Sequence, residues 1–243
     1  MKRRLTALVT GANKGIGFSV ATQLLRMEYA VYLGARDADK GSQAMAKLKA
    51  MGYAHVELVP LDVAQDQSVI TAAAWLAGRE DILDVLVNNA GIGGEQPQRS
   101  GSANIPVLKE VFETNFTGAI RVTRSFLPMM RRSKAPRIVN VSSELGSIVF
   151  QSDSTSDFYA TQLMAYSASK TALNAFTVML AKELQKSPFK INSVSPGYTA
   201  TDLTRYAGGK TADEAARIIV KYATLDAEGP NGGFFGQGGP IPW

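Results

Sequence analysis

A chain of 243 residues with 45% apolar and 19% charged residues can bury a substantial core and has the make-up of a soluble globular protein. It contains no cysteine, so a disulfide framework and thiolate chemistry are excluded, and no apolar stretch reaches the roughly 20 residues of a membrane span. The net charge of +5 and pI near 9.4 come from scattered cations, and the densest cluster, Arg131-Arg132-Ser133-Lys134, reads as a helix end. An anionic cofactor is therefore the expected partner, with no nucleic acid and no membrane. The basic start Met1-Lys2-Arg3-Arg4-Leu5 leads into an apolar run too short for a signal-peptide core, and the expected location is cytoplasmic.

In chain order, Leu5–Thr10 is an apolar run broken by Gly11, as in a strand buried on both faces. Gly15–Met27 has helical spacing, with Ile16, Val20, Leu24 and Met27 on one side. Ala30–Ala35 predicts a second strand, Asp39–Met51 a helix, His55–Pro60 a third strand, Gln67–Leu76 a helix and Leu83–Asn88 a fourth strand. A glycine-rich loop from Gly91 to Gly101 precedes one long helical pattern from about Ile105 to Arg132. Arg137–Ser142 is a fifth strand, a helix carries Tyr166 to about Gln185, and Lys190–Ser195 is a sixth strand. Ala212–Ala223 is helical, and Gly232–Phe235 adds a last short strand. Strands alternating with helices predict an α/β fold: one doubly wound, mostly parallel Rossmann-type sheet of about seven strands, forming a single domain over 1–243.

The first strand-to-helix turn reads Thr10-Gly11-Ala12-Asn13-Lys14-Gly15-Ile16-Gly17. Its glycines allow a tight turn and close approach of a pyrophosphate, and the helix N-terminus supplies free N–H groups. After the second strand, Arg36 and Asp37 are adjacent. An arginine there accommodates the extra phosphate of NADP(H), whereas an acid reads the ribose of NAD. With Lys14 approaching from the glycine turn, two cations on one dianion favour NADP(H). The alternative has both solvated and Asp37 on the ribose.

Asp62-Val63 follows the third strand, where the aspartate can accept from an adenine amino group or cap the next helix. Asn88-Asn89-Ala90-Gly91 ends the fourth strand, with amides that can stitch strands and small residues that leave room for a ribose. Asn115 falls within a helical pattern, where asparagine is mildly unfavourable, so it has either a hydrogen-bonding role or an ordinary surface position. Ser142-Ser143 closes the fifth strand, and Pro196-Gly197-Tyr198-Thr199-Ala200-Thr201 follows the sixth, where backbone groups and a threonine hydroxyl can hold a nicotinamide amide. Tyr166 and Lys170 are one helical turn apart. A phenol with an ordinary pKa of about 10 becomes a usable acid when a nearby ammonium favours the phenolate. Alone, such a pair is a weak signal.

Together, Thr10-Gly11-x-x-x-Gly15-x-Gly17, Asp62, Asn88-Asn89-Ala90-Gly91, Asn115, Ser143, Tyr166-x-x-x-Lys170 and Pro196-Gly197 resemble the short-chain dehydrogenase/reductase family over nearly the whole chain. The resemblance implies that Tyr166 is the general acid/base and that Lys170 lowers its pKa and holds the nicotinamide ribose. It also implies that Ser143, not Ser142, orients the carbonyl and that Asn115 supports a proton relay. The glycine turn and the ending Gly229-Pro230-Asn231-Gly232-Gly233-Phe234-Phe235 with Pro240-Ile241-Pro242-Trp243 are similar to the NADPH-dependent carbonyl reductase branch. A small-molecule ketone, aldehyde or alcohol is the implied substrate.

One departure concerns the stretch Ile148–Thr161, which lengthens the spacing between Ser143 and Tyr166 beyond the wider family's and is expected over the substrate pocket. It favours a monomer, because a longer insertion in this branch covers the helix face used for dimerisation. Leu145, Phe150, Phe158, Leu163, Tyr198 and Leu203 are candidates for an apolar wall or for ordinary core, and either Gly94–Ile105 or Ala200–Thr211 is a candidate lid. No His or carboxylate cluster has metal spacing, and His55 reads as a strand residue.

Overall fold

The structure is a computed structural model that describes residues 3–243. Its strands are β1 (Thr6–Thr10), β2 (Ala30–Ala35), β3 (Val56–Pro60), β4 (Val85–Asn88), β5 (Arg137–Val141), β6 (Lys190–Val194), β7 (Phe234–Gly236) and β8 (Gly239–Pro240). They form one eight-stranded sheet in the order β3-β2-β1-β4-β5-β6-β7-β8. All neighbours run parallel except β7 and β8, which pair antiparallel with Phe235 opposite Pro240. The expected count of about seven misses β8, whose Gly-Pro sequence carries no strand signal.

The helices are α1 (Gly15–Arg26), α2 (Ala38–Ala50), α3 (Asp66–Ala77), α4 (Ile105–Phe112), α5 (Gly118–Met130), α6 (Ile148–Ser152), α7 (Met164–Glu183) and α8 (Ala212–Ala223). The long helix expected from Ile105 to Arg132 is interrupted: α4 and α5 are joined by a π-helical turn over Glu113–Thr117, which contains Asn115. Such turns leave the ordinary hydrogen-bond ladder and recur at functional sites.

Every residue of β1, β4 and β5 is buried, as expected for strands covered on both faces, while edge strand β3 shows a mixed pattern. Side-chain alternation along β1 feeds two cores. Ala7 and Val9 join Leu24, Leu48 and Ile219 under α1, α2 and α8. Leu8 joins Leu76, Phe126 and Leu180 under α3, α5 and α7. Phe126 is fully buried, and burial of that size contributes about 2–3 kcal/mol.

A polar row crosses this second core. Asn88 Nδ2 donates to Asn140 Oδ1 (2.8 Å) and to Thr123 Oγ1 (2.9 Å), and Asn140 Nδ2 donates to Thr177 Oγ1 (2.8 Å). Thr177 and Ser193 share a further hydroxyl bond of 2.8 Å. The row ties β4, β5 and β6 to α5 and α7, the stitching expected of Asn88. Strand order reverses between β1 and β4, and the loops after the strands gather along that carboxyl edge.

Candidate active site

At the β1–α1 turn, Gly11 and Gly15 take left-handed backbone angles, with φ of +63° and +55°. At Gly17 a Cβ would lie 2.5 Å from both Asn89 Nδ2 and Gly11 O, so only glycine fits. Thr10 Oγ1 accepts from the backbone N–H groups of Asn89 (2.9 Å) and Ala90 (3.0 Å), and Asn89 Nδ2 donates to Thr10 O (2.8 Å). The glycine turn and the Asn89-Ala90-Gly91 segment are thus one rigid unit. Lys14 occupies the N-cap of α1 without a side-chain capping bond, so the first-turn amides near Gly15 and Ile16 are free to meet an anion. Ile16 packs its side chain on the α1-side core, and Asn13 is half-buried beside the turn.

Arg36 follows β2 at the exposed surface, and no hydrogen bond or ion pair involves its guanidinium among the described residues. Asp37 is engaged elsewhere: it caps α2 by accepting from Lys40 N (3.0 Å) and pairs with Lys40 Nζ (3.2 Å). Hydrogen bonds from Lys40 hold its carboxyl below the ordinary range. The two expected cations do not converge as free charges, because Lys14 Nζ pairs with Asp202.

Asp62 does not cap α3, whose N-cap is Gln65; its Oδ1 accepts from Ala64 N (3.0 Å), leaving Oδ2 without a hydrogen bond among the described residues. Val63 is buried against Gly118. Asn115 is fully buried, which removes the surface alternative. Its amide spans Ile92, accepting from the N–H (2.8 Å) and donating to the carbonyl (2.9 Å), and it donates to Ser169 Oγ (3.0 Å). A Cβ on Gly91 would lie 3.3 Å from Asn115 Oδ1 and 3.5 Å from Lys170 Nζ, so these residues converge on one point.

Ser142 and Ser143 differ in accessibility. Ser142 is buried with its hydroxyl unpartnered, whereas Ser143 is half-buried, accepts from Leu145 N (3.2 Å) and lies beside the Tyr166 phenol. Tyr166 keeps part of its surface exposed, yet burial pushes its phenol up to about 12; the Ser143 hydroxyl pulls the other way and the Glu144 charge adds to the rise. Lys170 Nζ lies 5.6 Å from the Tyr166 ring centroid and donates to Val141 O at 2.8 Å. Burial brings the ammonium down to about 8. In the protein alone desolvation sets the direction at the phenol, and the Lys170 ammonium faces the end of β5.

Beyond β6, Gly197 has φ of +80° and lies against Lys210 Nζ. Thr199 is buried and donates through Oγ1 to Gly197 O (2.9 Å), so its hydroxyl is already engaged within the Pro196–Gly197 turn. Thr201 opens a 3-10 turn over Asp202–Thr204, and its methyl would lie 3.5 Å from a Cβ at Gly15. Leu203 approaches Gly93. The segment Ala200–Thr211 is thus folded over the glycine turn and the β4 loop, held by Ala200 N donating to Lys210 O (2.8 Å). In the Ile148–Thr161 stretch, α6 is followed by turns, and Phe150 stacks on Phe158 with centroids 5.5 Å apart. A surface groove of about 650 Å³ lies elsewhere, between α8 and β7–β8, and is lined by none of Asn115, Ser143, Tyr166 and Lys170.

Sequence reasoning missed three residues. Gln98 is buried, accepts from Tyr166 N through Oε1 (3.2 Å), donates to Gly93 O (2.6 Å) and takes Met164 N–H on its carbonyl (3.1 Å). It caps α7 from another loop, because the N-cap residue Leu163 offers no side-chain bond. Nothing in its Gly-rich surroundings signals this. Asp202 partners Lys14, and Glu144 accepts from the Ser195 hydroxyl. Glu144 carried the only readable signal, a carboxylate beside a serine pair at a strand end.

Comparison with known proteins agrees with this geometry. The short chain dehydrogenase family profile matches residues 5–211. Salutaridine reductase of Papaver bracteatum is 32% identical over 94% of this chain and 93% of its own length. The (-)-isopiperitenone reductase of Mentha piperita is also 32% identical, over 94% and 95% respectively. The NADPH-bound carbonyl reductase from chicken fatty liver superposes with a TM-score of 0.85 at 28% identity, covering 100% of both chains. This chain belongs to the short-chain dehydrogenase/reductase family, on its carbonyl reductase-like branch, and is an oxidoreductase acting on alcohol or carbonyl groups.

Proposed function

We propose that this chain is an NADPH-dependent carbonyl reductase that converts small ketones and aldehydes to alcohols, with Tyr166 as the proton donor. The observation that carries the reading is the gathering of Ser143, Tyr166, Lys170 and Asn115 beside a glycine turn whose backbone leaves no room for side chains. The residues present fit the cofactor. The uncapped start of α1 suits a pyrophosphate; among the described residues Asp62 has a free oxygen for an adenine amine and Arg36 is unpaired, while Asp37 is engaged. Arg36 and Lys14 would hold the additional phosphate. Gly11, Gly15 and Gly17 would give the backbone its close approach, and Ala90 and Gly91 would leave space for the ribose.

When bound, NADPH supplies the hydride for the carbonyl carbon. Tyr166, with its phenol held protonated, gives the carbonyl oxygen its proton, and Ser143 Oγ orients that oxygen by hydrogen bonding. Lys170, brought to about 8 and anchored on Val141 O, favours the phenolate left behind through its charge. Asn115 fixes Ile92 and Ser169 around that path. The Pro196–Gly197 turn would carry the nicotinamide amide, with Thr199 and Thr201 shaping it.

The testing experiment is NADPH oxidation against a panel of aromatic ketones, keto esters and quinones. Turnover with several members is expected, and no turnover with any carbonyl would overturn the reading.

A further inference from the structure

We propose that Glu144 is a positioning residue for this reaction: by taking the Ser195 hydroxyl it fixes the Pro196–Gly197 turn against the segment carrying Ser143, and it keeps a negative charge beside Tyr166. The inference rests on the proposed reductase reading and assigns a further residue to it. Glu144 opens a 3-10 turn, Glu144–Gly146, immediately after Ser143, and Gly146 N donates back to Ser143 O (2.8 Å). Its backbone is therefore set by the same turn that aims Ser143. Its Oε2 accepts from Ser195 Oγ, and Ser195 is buried to 1% exposure. Ser195 Oγ in turn accepts from Gly197 N (3.3 Å), while Ser195 N donates to Phe235 O (2.8 Å). Glu144 Oε1 lies 3.7 Å from where a Cβ of Gly236 would be, so the carboxylate wedges between the ends of β6 and β7.

Among the charges around this point, the Lys210 ammonium lies against Gly197 on the far side of the turn. Lys170 on α7 is directed to Val141 O, and Glu113 in the π turn is paired with Arg121. Lys190 and Arg137 stand at the opposite, amino ends of β6 and β5. Glu144 directly follows Ser143, whose hydroxyl lies beside the Tyr166 phenol, so its charge favours the protonated form. One side chain then serves two ends: geometry of the cofactor turn through Ser195, and protonation of the acid through charge.

The roles separate by substitution. Glu144→Gln keeps an acceptor for Ser195 but removes the charge; Glu144→Ala and Ser195→Ala remove the link. In the cofactor-free protein, amide exchange at Gly197 is expected to speed up at least tenfold in Glu144→Ala and Ser195→Ala and to stay near wild type in Glu144→Gln. NADPH dissociation constants should follow the same pattern. The basic limb of the pH profile for ketone reduction should move down by about half a pH unit or more in Glu144→Gln and Glu144→Ala, and stay in place in Ser195→Ala. Unchanged Gly197 exchange in both link-removing variants, or an unmoved limb in both Glu144 variants, overturns the inference. Tyr166→Phe serves as control: if it retains full turnover the reductase reading fails, whereas if it is inactive and the Glu144 variants match wild type only this inference fails. Ser195→Ala keeps the exchange test available if Glu144→Ala does not fold.

Discussion

Lys170 Nζ bonds the carbonyl of Val141 at 2.8 Å while standing 5.6 Å from the ring centroid of Tyr166. The buried ammonium is anchored to the end of β5, not to the phenol one turn before it. Its pKa is lowered from 10.5 to about 8 by burial, so between those values the unfolded chain binds more protons than the native one and stability rises with pH. At pH 7 both states are charged and the native state carries the full desolvation cost. Lys170→Met should therefore unfold about 1–3 kcal/mol later than wild type at pH 7. The gap should close toward pH 10.5. Denaturant titrations across pH check this, and a pH-independent gap contradicts it. Tyr32, whose pKa is raised, opposes the rise above pH 10 in both proteins and cancels in the difference.

In the proposed reading, cofactor choice depends on two cations in different states. Arg36→Ala should weaken NADPH about tenfold, a charge-assisted phosphate contact, and leave NADH within about twofold. Asp202→Asn releases Lys14 from an exposed ion pair. NADPH should then bind up to about fivefold more tightly. Fluorescence titration with both nucleotides gives these constants, and equal losses for NADH and NADPH in Arg36→Ala refute the assignment.

Gln98 predicts a split between chemistry and cofactor binding. Gln98→Ala releases the amide of Tyr166 and the carbonyl of Gly93, so kcat should fall about tenfold or more, the scale of a displaced catalytic group. NADPH affinity should change less than about twofold. Steady-state kinetics and nucleotide titration on the same sample decide the point.

Asp84 is the ionic anchor under the sheet. Burial alone would raise its pKa, but hydrogen bonds from Arg3, Thr6 and Ser133 hold it below the ordinary carboxylate range. Arg3 contacts it through both terminal nitrogens, each at 2.8 Å. A depressed carboxylate stabilises above its unfolded value and loses that contribution as pH falls through the folded one. Asp84→Asn should cost about 2–4 kcal/mol at pH 7, with the difference from wild type shrinking below pH 4.

Much of this molecule is legible in its sequence because periodicity reports burial. The apolar runs of β1, β4, β5 and β6 and the spacing along α1 and α8 give the layers directly. Gly17 is legible because glycine is required where a backbone carbonyl and an amide side chain close in. The break at Asn115 is not, since the residues from Ile105 to Arg132 keep a helical pattern through the π turn. Partnerships set by long-range folding are equally hidden: Lys14 with Asp202, Gln98 with Tyr166, Glu144 with Ser195. The pKa balance at Tyr166 depends on desolvation, which spacing along a helix does not encode.

The most direct measurement is NADPH consumption by Tyr166→Phe against a ketone that the wild-type protein reduces, with nucleotide affinity measured on the same preparation. Removing the proton donor should cut turnover by about a hundredfold or more, and NADPH binding should remain within about twofold of wild type. Turnover close to wild type, with the cofactor bound normally, would contradict the assignment of Tyr166 as the acid.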